Sequence, residues 1–144
     1  MRSHIICLTP SLHPCQGHLR AAQAIGDIYY WGKGVAKDYP RALVAYKVGA
    51  EGGDALCLFQ VGMIYCHGEG VAKDYKQARL WFEKAAAQDD PDAVGQLGTM
   101  HADGKGVTPS WRRARELFKR AIELGDSRAV KSMQNLTKNI QNVS

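Results

Sequence analysis

A fixed spacing of 36 residues governs this chain: it separates Gly26, Gly62 and Gly98, then Gly34, Gly70 and Gly106, the small residues Ala42, Ala78 and Ala114, and the aromatic series Tyr46, Phe82 and Phe118. An ungapped period of this length marks a solenoid, in which each unit buries its apolar face against its neighbours. The clearest copy runs from Ala55 to Asp90, ALCLFQVGMIYCHGEGVAKDYKQARLWFEKAAAQDD. The spacing predicts an all-α chain of three 36-residue helix-turn-helix repeats, over residues 17–52, 53–88 and 89–124, closed by a capping helix over 126–141. Residues 1–16 break the pattern, because Pro10 and Pro14 fall where a preceding helix would run. They are expected to form an irregular segment ahead of a single repeat domain spanning 17–144.

Each unit reads as two helices. In the first, Ile25, Ile28 and Tyr29 recur as Val61, Ile64 and Tyr65, then as Leu97, Met100 and His101. That three-and-four spacing makes one apolar stripe, expected to face the core. The glycine beside it is mid-helix, where it costs about 1 kcal/mol relative to alanine, so a close approach of the paired helix is expected there. Next come the links WGKGVAKDY, HGEGVAKDY and DGKGVTPSW, whose two glycines permit a tight turn and whose Asp38, Asp74 or Ser110 caps the second helix. In the second helices the alanine series makes room and the aromatic series fills it. Gly17, Gly53, Asp89 and Gly125 share a register, as do His18, Asp54, Asp90 and Asp126, which reads as a helix end followed at once by a new N-cap. In the last helix Ala129, Val130, Met133, Leu136 and Ile140 are expected to form the inner side, and Gln134 stands in the glycine's place, as expected of a capping helix that no second helix crosses.

Several function classes fall away. No apolar run approaches the roughly 20 residues that a membrane helix needs. IICL near the N-terminus is too short for an export signal, so a reducing, cytoplasmic setting is favoured for the four cysteines. The net charge of +5 gathers on second helices, at Arg112, Arg113, Arg115, Lys119 and Arg120 above all. No aromatic residues interleave with it, which disfavours nucleic acid. His4, Cys7, His13, Cys15 and His18 match no standard metal-ligand spacing, and no metal or cofactor is expected. Cys57 and Cys66 lie about 13 Å apart along one helix and cannot bridge each other. The pairs His67 with Glu69 and His101 with Asp103 lack a nucleophile or oxyanion donors, so the chain reads as no enzyme.

With Ile25-Gly26, Val61-Gly62 and Leu97-Gly98, the turns Gly32–Val35, Gly68–Val71 and Gly104–Val107, and Trp81-Phe82 in place, residues 17–140 resemble the Sel-one-like repeat family, a branch of the tetratricopeptide-like superfamily. Departures are His101 for tyrosine, Ser110 for aspartate, and Val48-Gly49 within the family's Lys-Ala-Ala. The resemblance implies a right-handed α/α solenoid acting as an adaptor or scaffold, with structural motif residues and no catalytic group.

The expected function is therefore non-catalytic binding of a protein or peptide on the concave face, which first helices line in such arrays. The alternative is a structural spacer or self-associating segment of a larger assembly. Leu56, Phe59 and Met63 lie opposite the core positions Val61 and Tyr65, making the middle first helix apolar nearly all round. The same positions are Arg20, Gln23 and Asp27 in the first unit and Asp92, Gly95 and Thr99 in the third, so a central apolar patch gains a polar rim. Tyr30, Trp31 and His67 extend it along one edge. The competing expectation for Phe59 and Met63 is packing against neighbouring helices or a second copy of the chain.

Overall fold

The computed structural model describes residues 16–143. Among these residues there are seven helices and no strand: α1 (Gln16–Trp31), α2 (Tyr39–Glu51), α3 (Ala55–His67), α4 (Tyr75–Ala86), α5 (Pro91–Asp103), α6 (Trp111–Glu123) and α7 (Ser127–Val143). The irregular segment expected over 1–16 lies outside the described residues, except that Gln16 opens α1; His4, Cys7, His13 and Cys15 lie outside them too. Two compact units are described separately, one up to Lys73 with α1–α3 and one from Asp74 with α4–α7.

The helix boundaries follow from capping chemistry. Asp54 and Asp90 accept from the backbone N–H of Cys57 and Ala93 at the start of first helices, at 3.0 and 3.3 Å. Asp38 and Ser110 do the same for Arg41 and Arg113, and Asp74 accepts from both Lys76 and Gln77 at 3.0 and 3.1 Å. Each satisfies an amide that the helix itself cannot. Asp74→Ala is accordingly expected to lower stability by about 1 kcal/mol in urea titration. Unchanged stability would show that its two hydrogen bonds merely replace bonds to water. The second helices end where Gly53, Asp89 and Gly125 take positive φ, and the following aspartate N–H reaches back to Gly49, Ala85 or Ala121 O. At Asp89 an aspartate adopts the left-handed conformation. Arg120 secures that corner, donating to Asp89 Oδ1 at 2.7 Å and to Ala86 O at 2.9 Å.

In the unit up to Lys73, Tyr46 is fully buried on α2 with its ring over Gly26 of α1, so closely that a methyl group there would overlap it. In the unit from Asp74, Phe118 stands the same way over Gly98, where an added Cβ would lie 2.7 Å from the ring. Ala42, Ala78 and Ala114 are wholly buried, as the alternation of small and large residues requires. The turns are tied back to the helices they follow, Asp38 N–H to Tyr29 O and Ser110 N–H to His101 O, both at 2.9 Å.

Three expectations need correction. His18 is inside α1 rather than capping it, because the helix already starts at Gln16. Ile25 and Ile28 are 47% and 38% exposed, although their counterparts Val61, Ile64, Leu97 and Met100 are buried. Leu97 and Met100 lie on α5, which packs against both α4 and α6, whereas no described element precedes α1. In α7 only Ala129 of the expected inner side is buried; Met133 and Leu136 are half-buried, and Val130 and Ile140 are exposed at 41% and 36%. Gln134 is exposed.

Candidate functional site

The expected binding residues fall into two groups, both in the unit up to Lys73. Leu56, Phe59 and Met63 follow one stripe of α3, at spacings of three and four. Leu56 is 43% exposed, Phe59 and Met63 are half-buried, and the opposite side of α3 carries the buried Cys57, Leu58, Val61 and Ile64. His67 is exposed at the helix end. Burial pushes the Cys57 thiol well above its ordinary range, with Asp54 and Asp27 adding to the effect.

On α1 the structure brings Asp27, Tyr30 and Trp31 into an aromatic corner. The Tyr46 hydroxyl donates to Asp27 Oδ1 at 2.6 Å, and the Tyr30 hydroxyl donates to Glu69 Oε2 at 2.7 Å. Tyr30 meets Trp31, Tyr39 and Tyr46 edge-on, with centroids 4.8, 5.4 and 6.3 Å apart. These bonds make Asp27 and Tyr30 fixed supports, while Trp31 remains 55% exposed and Gln23 is half-buried. Burial, then the acceptor carboxylate, holds both phenols well above their ordinary range. Glu69 and Tyr39 were absent from the expected set. The signal available for Glu69 was its place as the middle residue of Gly-x-Gly, where the other turns have Lys33 and Lys105.

The third-unit rim positions are held by local bonds of their own. Asp92 pairs with Arg128, and Thr99 Oγ1 donates to Gly95 O at 3.2 Å. Neither histidine pair forms an acid-base dyad: Glu69 accepts from Tyr30, and Asp103 pairs with Lys105 at 3.4 Å. His101 is held below its ordinary pKa by burial first, then by the Arg113 and Arg79 guanidiniums.

A groove of about 510 Å³ that sequence reasoning missed opens along α1 and α2, lined by Ile25, Tyr29, Pro40, Val44 and Val48 among others. Its signal was a register comparison. Val48 is apolar where the equivalent positions are Lys84 and Arg120.

The decisive observation is that the sequence pattern of the Sel1 repeat matches three consecutive segments, 19–54, 55–90 and 91–126. The chain belongs to the Sel1 repeat family. Each Sel1 segment begins two residues after the boundary read from the capping register. The class is therefore the all-α solenoid of TPR-like helix pairs, and Sel1 repeats are generally protein-interaction modules on a non-catalytic scaffold. Among solved structures, a Sel1 repeat protein from Oxalobacter formigenes is 31% identical with a TM-score of 0.76, covering 92% of this chain and 53% of its own. A protective antigen of uropathogenic Escherichia coli displaying an SLR fold is 32% identical, also at TM-score 0.76, covering 79% of this chain and 24% of its own. The chain thus spans about half and a quarter of these two relatives. The Helicobacter pylori cysteine-rich protein B shares the fold at 23% identity and TM-score 0.65, over 81% of this chain and 89% of its own. No curated protein matches this sequence.

Proposed function

We propose that this chain binds a protein or peptide partner through the first-helix face of the unit up to Lys73, the side expected to be concave in such an array. Leu56, Phe59 and Met63 supply the apolar centre, Trp31 and His67 one edge, and Gln23 a polar rim. Asp27 and Tyr30 hold that edge in place. One observation carries the reading: large apolar side chains remain accessible on α3, whose opposite side is already fully packed. A partially exposed apolar centre with polar flanks suits a peptide laid along a helix. No described helix is long and apolar enough to cross a membrane.

The test is peptide selection by phage display on the folded protein, followed by titration of a selected peptide. Phe59→Ala with Met63→Ala, and separately Trp31→Ala, are expected to weaken binding at least about tenfold while the double variant keeps a cooperative melt. Unchanged affinity in all three would place the site elsewhere. Collapse of the melt in the double variant, with Trp31→Ala binding as before, would assign the stripe to packing.

A further inference from the structure

A second surface lies in the unit from Asp74, between α6 and α7. Trp111, Arg115 and Lys119 repeat every fourth residue along α6, and Met133, Leu136 and Ile140 run at three-and-four spacing along the facing side of α7. Between them is a groove of about 360 Å³. Trp111 is 51% exposed.

The repeat itself shows what such a groove takes. One period earlier, the same positions are Tyr75, Arg79 and Glu83 on α4 with Leu97 and Met100 on α5. There α6 packs on α5, Phe118 rests on Gly98, and Leu97 and Met100 are buried. Two differences separate the later groove from the earlier one. Gln134 stands in place of Gly98, so a ring cannot come as close to α7 as Phe118 comes to α5. The charges also differ: Arg79 and Glu83 face each other at 3.7 Å, whereas Arg115 and Lys119 pair with no carboxylate among the described residues. Of the other α6 cations, Arg113 pairs with Glu116 and Arg120 with Asp89.

We propose that the α6–α7 groove is a docking seat for an amphipathic helix of another protein, with aliphatic residues on its buried stripe and acidic residues on its flanks. The two unpaired cations select the flank charge, and Gln134 selects against a bulky aromatic at the crossing. The second helices of this chain fit neither condition. They bring Tyr46 or Phe118 to the crossing and carry Arg41, Lys76 or Arg112 on their exposed sides, so a second copy would meet like charge.

Two fluorescein-labelled helical peptides of about 16 residues, one turn-matched to α7, serve as probes: both carry the same Leu/Ala stripe, one with Glu flanks and one with Lys flanks. By fluorescence anisotropy the Glu peptide is expected to bind in the range of about 10 to 100 μM and the Lys peptide at least about tenfold more weakly, with the difference shrinking in high salt. Arg115→Glu with Lys119→Glu should reverse the preference without shifting the melt, because both side chains are exposed. Val44→Asp, in the α1–α2 groove, should leave affinity unchanged. Four results would overturn the proposal: equal binding of the two peptides, no binding of either to about 1 mM, loss of binding in Val44→Asp alone, or a dimer in sedimentation that the charge reversal abolishes.

Discussion

Gly98→Leu is expected to destabilise the protein by about 3 kcal/mol or more, although leucine is the better helix former by almost 1 kcal/mol. The sign is decided by space. A Cβ at position 98 would lie 2.7 Å from two carbons of the Phe118 ring and 3.2 Å from a third, and the ring is 2% exposed, so it has nowhere to retreat. Three further heavy atoms of leucine can be accommodated only by separating α5 from α6, which exposes Leu97, Met100 and Ala114 together. Urea titration would read the loss directly. The mechanism makes a sharper demand on the double variant. Phe118→Ala alone should cost about 4 kcal/mol through the cavity it leaves, yet in the Gly98→Leu background it removes the clash as well, so the pair should cost less than the sum. Additive losses would mean that position 98 and the ring do not compete for the same space, and the close-approach account of the repeat's mid-helix glycine would fall.

That glycine also shows which parts of the fold were legible in the sequence. A residue unfavourable to helices, recurring in register with an aromatic 20 positions later, has few physical explanations, and the ring over Gly26 and over Gly98 is the one realised. Caps were legible for the same reason, since Asp38, Asp54, Asp74, Asp90 and Ser110 each do locally what their side chains do in any chain. What periodicity cannot supply is a neighbour. Ile25 and Ile28 carry the same apolar pattern as Leu97 and Met100, but burial depends on what lies against the stripe, and a repeat pattern says nothing about that at its first and last copies. Met133 and Leu136 are half-covered for the same reason. Polarity misled at Asp27. A charge on an outward position suggests a solvent-facing rim, whereas here the carboxylate accepts from the buried Tyr46 hydroxyl, a bond made across 19 residues of sequence. Pattern reading places residues on faces; it does not pair them.

The Asp27–Tyr46 pair leads to an alkaline signature. Tyr46 is fully buried, and burial, the hydrogen bond to Asp27 and that carboxylate's charge all hold its phenol protonated well above its ordinary value of 10.0. Tyr30 is raised for the same kinds of reason, and the nearby Cys57 thiol is raised above its ordinary 9.0 by burial and Asp54. Below about pH 9 both folded and unfolded chains keep these protons, so stability is flat with respect to these groups. As the pH rises past 9.0 and then 10.0, the unfolded chain releases them first. It then binds fewer protons than the folded chain, and the stability of the fold falls by up to about 1.4 kcal/mol per pH unit for each group. Tyr46→Phe is expected to cost about 1 to 2 kcal/mol at neutral pH, because Asp27 loses a donor, and to flatten the alkaline decline by about one group's share. Tyr46→Ala should cost about 4 kcal/mol at neutral pH, since it empties the space over Gly26, and should flatten the alkaline decline to the same extent as Tyr46→Phe. Urea midpoints of the wild type and both variants between about pH 8 and pH 11 separate the two contributions. Wild-type and Tyr46→Phe curves that stay parallel through that range would show that the phenol is not held protonated by its place in the fold, and that Tyr46 matters to it only as a ring.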